Sequence, residues 1–439
     1  MLSYKRKKTP GDTSWFVKDR FGLFIHFGLY ALPARHEWLK CRERITEEQY
    51  QQYFDHFNPD LLDAKEWARQ AKAAGMKYAV LTAKHHEGFC LFDSKYTSYN
   101  SVQAPCGRDL VKEYTDAFRA EGLRVGLYYS LIDWHHSQFP IDKLHPRRCD
   151  EDAAEQDRGR DMRKYVQYMK DQLTELLTNY GKIDILWMDF SYPPAEDAPD
   201  WMQYGGGKGK EQWQSEELIA HIRSLAPHII LDDRAQIPQD IVTPEQSLYD
   251  YWETPVENGE YLTWETCQTL SGSWGYYRDE TTWKNPIMLL ELLVKTVSKG
   301  GNMIMNVGPT ARGYFDDRAT EALNVYANWM KYNSRSIYGC TKSEFDLPLP
   351  NGVYMTERED GKRLYIHLVN YPYQELDLSG EFADRIAYAQ WLKDGSEMQY
   401  HKQTLYDAAG ISVGEKVRFI LPGVFFTEQV PVIEVFLKD

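Results

Sequence analysis

The chain has no apolar stretch approaching the roughly 20 residues that a membrane span requires, so it is not expected to cross a bilayer. It has no run of lysines or arginines able to track a phosphate backbone, and its formal net charge is −14, which makes nucleic acid a poor partner. Cysteine is scarce: Cys41, Cys90, Cys106, Cys149, Cys267 and Cys340 are scattered without a CxxC pair. That spacing argues against a zinc cluster and gives little support to a disulfide framework, so the six are read as reduced thiols. The opening MLSYKRKKTPGDTSWF carries basic residues but runs into Pro10, Gly11 and Asp12 with no apolar core behind them. It is not read as a secretory signal, and a cytoplasmic location is the expectation. There is no GxSxG elbow and no HxH or HExxH spacing, and the GGGKG run at 205–209 lacks both a preceding strand and a GK[ST] ending. A serine triad, a helical zinc site and a phosphate cradle are therefore unsupported.

What is present is aromatic. Of 439 residues, 14% are Phe, Trp or Tyr, including 13 Trp and 31 Tyr, which suits a sugar binder because a pyranose offers C–H faces to rings and hydroxyls to polar side chains. The same residues could equally fill two cores, and composition alone favours that plainer reading. The length exceeds one ordinary core and fits a barrel followed by a smaller domain. Short runs rich in β-branched and aromatic residues recur at 21–28, 78–86, 124–130, 183–190, 228–234 and 301–308, with weaker ones at 249–253 and 264–269. Amphipathic segments ending in glycine separate several of them, as in LLDAKEWARQAKAAG and DLVKEYTDAFRAEG. This alternation predicts an α/β fold, a (β/α)8-like TIM barrel over 1–340. From about 345 the pattern changes to hairpin signals around Asp360 and Gly361 and strands without helices, which predicts a C-terminal antiparallel β-sandwich over 341–439.

Barrel chemistry sits where strands end, and here the ends are unusually polar. The runs close on His26; on Lys84, His85, His86 and Glu87; on Tyr128, Tyr129 and Ser130; on Trp187 and Asp189; and on Asp232, Asp233 and Arg234. Any one of these could be a satisfied core residue. Five sets converging on one mouth would be costly to bury without a polar ligand or a mutual network. Period-two alternation places Ile183, Ile185, Trp187 and Asp189 on one face, a carboxylate beside an indole. A retaining glycosidase needs one ionised carboxylate and one protonated carboxyl about 5–5.5 Å apart. Asp189 is the natural nucleophile; Glu245, Glu265, Glu253 and Glu37 are all candidates for the acid, and spacing does not choose among them. A metal held by His26, His85, His86 and Asp189 is disfavoured, because adjacent His85 and His86 would point to opposite faces of an extended strand.

In chain order, FGLFIHFGLYALPA, the Glu37–Trp38 pair, KYAVLTAKHHEGF, GLYYSLIDWH, ILWMD, TPEQ, WETCQT with SWGY, and KGGNMIMNVGPTARG resemble the α-L-fucosidases of glycoside hydrolase family 29. The resemblance covers about 14–340. It implies a retaining mechanism without metal or cofactor, acting on a fucosylated oligosaccharide or glycoconjugate. It implies Asp189 as nucleophile, Trp187 as a pocket wall, His26, His85, His86, Tyr129 and Arg234 as ligands of the sugar hydroxyls, and Glu37 with Trp38 closing one side. It assigns the acid/base to Glu245 of DIVTPE, with Glu265 second. The chain departs from the family pattern at Phe27, where tryptophan is usual, and at Glu87, where aspartate is usual; these departures bear on leaving-group preference. A non-catalytic fucose-binding module and a hydrolase of a related sugar such as an α-L-galactoside are the competing readings. Assembly into a homo-oligomer is left open.

Overall fold

The computed structural model describes residues 5–192, 207–246, 248, 252–423 and 429–438. Seven parallel strands form the first sheet: β1 (Phe21–Ile25), β2 (Tyr78–Lys84), β3 (Arg124–Ser130), β4 (Ile185–Asp189), β5 (Ile230–Leu231), β6 (Glu265–Thr269) and β7 (Asn302–Val307). They are hydrogen-bonded in the order β5-β4-β3-β2-β1-β7-β6, a TIM-like arrangement. The helices between them start on side-chain caps that the sequence supplies. Asp63 caps α1 (Ala64–Ala73), Asp109 caps α2 (Leu110–Ala120), Asp161 caps α3 (Met162–Asn179) and Asn285 caps α4 (Pro286–Ser298), each accepting from a first-turn backbone N–H. Gly75, Gly122 and Gly181 then take the left-handed conformation that ends three of them.

An eighth regular strand is not present among the described residues. Of the weak run at 249–253, residues 249–251 lie outside the described residues, and Trp252 and Glu253 are not in a strand. The space between β5 and β6 is spanned instead by the irregular segment 240–246. Its Asp240 and Ile241 N–H groups donate to Leu231 O at 3.0 and 3.2 Å, and on the other side it bridges β6 at Val242–Trp264 and Glu245–Cys267. Pro238 and Pro244 explain the irregularity, since neither can donate to a ladder.

The inside of the ring is narrow and aromatic: Phe24, Tyr78, Val80, Tyr128, Ile185, Trp187, Ile230 and Ile304 pack there as one cluster. Gly22 makes this possible, because a Cβ there would lie 2.2 Å from the Tyr78 ring. Between β2 and β3 the register slips: Thr82 pairs with Tyr128 but Lys84 pairs with Tyr129. The extra residue turns Lys84 outward, where its ammonium meets Asp133 at 3.1 Å over the Tyr129 ring.

Beyond the barrel the sheets are antiparallel. β8 (Cys340–Lys342), β9 (Val353–Arg358), β10 (Arg363–Leu368), β12 (Ile386–Trp391) and β15 (Val432–Leu437) form one, ordered β8-β9-β10-β15-β12. β11 (Glu375–Ser379), β13 (Tyr400–Tyr406) and β14 (Ser412–Ile420) form the other. Leu364, Ile366, Leu376, Leu378, Val417, Phe419, Ile433 and Val435 fill a core of their own. This unit is tied to the barrel helices by Tyr354 Oη donating to Glu291 at 2.7 Å and by Trp329 Nε1 donating to Val430 O at 2.9 Å.

Candidate active site

At the C-terminal mouth of the barrel, Phe24, His26, Glu37, Trp38, His85, His86, Tyr128, Trp187, Asp189, Phe190, Arg234, Glu245, Cys267 and Trp274 line one pocket with an empty volume of about 360 Å³.

Asp189 ends β4 on the inner face, 9% exposed, with its two oxygens held separately. Tyr128 Oη donates to Oδ2 at 2.7 Å, and Arg234 Nη1 donates to Oδ1 at 3.0 Å. Burial, and then the charge of Asp189, push the Tyr128 phenol well above its ordinary range, so it stays a donor. Phe190, the next residue, has φ +85°, an uncommon conformation for a bulky side chain that turns the chain sharply and sets the ring against Trp38 and His86.

Arg234 connects two carboxylates. The same Nη1 reaches Glu245 Oε2 at 2.9 Å, so Asp189 Oδ1 and Glu245 Oε2 are separated by no more than about 6 Å. The guanidinium is fixed by Thr243 Oγ1 at 3.1 Å and lies over the Trp187 ring at 4.5 Å. Glu245, on the irregular segment, is the exposed member at the rim.

The histidine tautomers follow from their partners. Asn306 spends its amide N–H on Trp274 O at 2.7 Å, so its Oδ1 accepts from His26 Nδ1 at 2.6 Å. Ser130 donates to Ile132 O at 2.8 Å, so its Oγ accepts from His86 Nδ1 at 2.7 Å. Burial first, and neighbouring positive groups second, hold both imidazoles well below their usual pKa, hence neutral. His26 and His86 therefore carry unprotonated Nε2 atoms, which accept. Glu37 is buried and accepts from Gly275 N at 2.8 Å.

The structure gathers His26, Glu37, Trp38, His85, His86, Trp187, Asp189, Arg234 and Glu245 at one pocket, and it corrects four expectations. Tyr129 faces away, packed among the outer helices with its hydroxyl donating to Gln172 Oε1 at 2.8 Å. Tyr128 takes the inner place because its register partner is Trp187. His85 and His86 do not point to opposite faces: β2 has ended at Lys84, and both rings reach the pocket with centroids 4.0 Å apart. Glu265 begins β6, so it lies beneath the pocket; Tyr78 Oη donates to it and Trp187 Nε1 donates to it at 3.3 Å. Burial raises its pKa to about 7. Glu253 is remote from the pocket wall and pairs with Lys342 at 3.3 Å. Among the described residues, no group of three or more His, Cys, Asp or Glu is arranged to hold a metal. Phe24, Cys267 and Trp274 were given no role by sequence, and Phe190 only a place beside Asp189; Phe24 was signalled by its parity with His26, whereas Trp274 arrives on a loop and sets its ring, tilted, 5.2 Å from His26.

A family model described as alpha-L-fucosidase matches residues 3–335. The α-L-fucosidase of Dictyostelium discoideum is 31% identical over 370 residues, covering 74% of this chain and 71% of that protein. Among solved structures, α-L-fucosidase isoenzyme 1 from Paenibacillus thiaminolyticus superposes with a TM-score of 0.86 at 41% identity, covering 97% of this chain and 99% of the other. A Bacteroides thetaiotaomicron α-L-fucosidase of family GH29, captured as a trapped covalent intermediate with 2-fluoro-fucosyl fluoride, superposes with a TM-score of 0.81 at 25% identity, covering 100% and 98%.

Proposed function

The chain belongs to the α-L-fucosidase family of glycoside hydrolases, and from that premise we propose that it is a retaining exo-α-L-fucosidase that removes terminal α-linked L-fucose from glycans, with Asp189 as nucleophile and Glu245 as general acid/base. Asp189 attacks the anomeric carbon while Glu245 protonates the departing glycosidic oxygen. Glu245 then takes a proton from water, whose oxygen displaces Asp189 and releases fucose with the configuration it began with.

The observation that carries this reading is the single Arg234 nitrogen between the two carboxylates. It bounds the separation of one oxygen of each at about 6 Å, nearer the roughly 5–5.5 Å of double displacement than the wider spacing of inversion, which supports retention. The heights agree with the roles: Asp189 is deep, under the sugar, and Glu245 is at the rim, where an aglycone would leave. The covalent intermediate of the Bacteroides relative is a further support. The Nε2 acceptors of His26 and His86 and the faces of Trp187 and Trp274 suit a hydroxylated ring with one apolar side.

Asp189→Ala is expected to lower turnover of an aryl α-L-fucoside by at least about 10³-fold, with azide restoring activity and yielding β-L-fucosyl azide. Unchanged turnover, or a faster reaction on the aryl α-L-galactoside than on the fucoside, would refute the assignment.

A further inference from the structure

Phe190 holds a backbone conformation that its own side chain disfavours. A φ of +85° is open to glycine without steric cost, and among the described residues no other Phe, Tyr or Trp has a positive φ. The chain is held in this turn from both sides. Just before it, Leu131 N donates to Asp189 O at 2.8 Å. Just after it, Ser191 Oγ donates to Arg234 O at 2.5 Å, Tyr192 Oη donates to Asp142 Oδ2 at 2.6 Å, and the Tyr192 backbone pairs with that of Lys208. These anchors fix the turn and would hold a glycine equally well. The backbone thus accounts for the bend but not for the ring placed on it.

Packing accounts for part of that ring. Its centroid lies 5.3 Å from Trp38, 5.4 Å from His86 and 5.9 Å from Tyr192. The remainder is not sealed: Phe190 and Trp38 both line the pocket and both stay half-buried, whereas Trp134, 5.3 Å behind Trp38, is buried. His26, His86 and Asp189, the groups suited to the fucose ring, are also buried. Two aromatic surfaces therefore stand at the mouth, outside those groups, in the same pocket whose exposed rim carries Glu245.

We propose that Phe190, with Trp38 beside it, is the platform for the sugar unit to which the fucose is attached, a pyranose that lays an apolar C–H face on the rings. Phe190 is in this respect a specificity-determining residue: it selects aglycones that have a ring to offer and takes no part in the bond or proton steps. The proposal rests on the glycosidase reading above and adds to it the class of group held on the leaving side.

The test compares α-L-fucosyl fluoride, whose leaving group has no ring, with whichever of a set of linkage-defined fucosyl disaccharides the wild-type protein cleaves fastest. Phe190→Gly suits the turn and removes the ring, and its kcat/KM is expected to fall about 10-fold further on the disaccharide than on the fluoride, through a raised KM. Phe190→Leu, apolar but without a flat face, is expected to open a gap of the same sign, and Phe190→Tyr to open none. Equal losses on the two substrates in Phe190→Gly and Phe190→Leu overturn the proposal, since the ring would then only support the pocket. In the wild-type protein KM for the disaccharide is expected to lie below that for methyl α-L-fucoside; equal values overturn the proposal even if no variant folds. A wild-type protein that cleaves neither fluoride nor disaccharide refutes the glycosidase reading and this platform with it, whereas cleavage of both with equal losses in the variants refutes the platform alone.

Discussion

Two levels of the same barrel use the same residue types to opposite ends. At the floor, Glu265 takes hydrogen bonds from Tyr78 and from the Trp187 indole and is sealed from solvent. At the mouth, Asp189 also takes a tyrosine, Tyr128, but its second partner is Arg234, which is shared with Glu245 and borders an open pocket. A carboxylate whose partners are all structural locks the ring in place. One whose partners are shared and reachable keeps capacity to act on a substrate. Depth along the strand, set by whether the residue begins or ends it, decides which it becomes.

Substitutions at the two levels should therefore fail differently. After Asp189 itself, the largest effect is expected from Glu245→Gln: kcat/KM on a natural glycan should fall about 10²- to 10⁴-fold, with a much smaller fall on a fucoside bearing an acidic phenol, which leaves unaided. Equal losses on both substrates would remove Glu245 from the acid role. Tyr128→Phe deletes one charge-assisted bond to Asp189 and is expected to cost about 10- to 100-fold in kcat/KM with little change in melting temperature. The floor should respond in stability instead. Burial holds the Glu265 pKa up at about 7 against an ordinary 4.5. The folded state thus keeps a proton that the unfolded chain gives up, and stability declines as pH rises from about 4.5 to 7. Glu265→Gln should abolish that decline, a difference of roughly 3 kcal/mol or less in denaturant unfolding between pH 5 and pH 8. An identical pH dependence in both proteins would place the titration elsewhere. Smallest of all, Tyr129→Phe should leave kcat/KM within about twofold while costing about 1 kcal/mol through the lost bond to Gln172; a tenfold activity loss would return Tyr129 to the site.

These residues also show what a linear reading can and cannot reach. Asp189 and Trp187 were legible because alternation along β4 is undisturbed, and the helices were legible from their amphipathic spacing and terminal glycines. Tyr128 and Tyr129 were not separable, since the choice depends on which of them lies beside Trp187, a matter of register between strands. The slip between Thr82 and Lys84 leaves no mark in composition, yet it turns Lys84 outward just before the two histidines. Glu265 could have been demoted from the sequence, because it stands at the start of the 264–269 run rather than at its end. Trp274 was visible only as part of SWGY and without a role, because a loop carries it across the mouth to Asn306 and His26.

The segment 240–246 gives the barrel a seam. Asp189 is built into a regular strand whose shift would disturb its neighbours on both sides, whereas Glu245 is carried on an irregular stretch held, among the described residues, by scattered backbone bonds. On the proposed roles, the part of the site that grips the released sugar and the part that meets whatever the sugar was attached to are thus separately replaceable. A library of altered lengths and sequences at 236–246 should retune acceptor choice, including transfer to alcohols instead of water, while the grip on the sugar is inherited unchanged.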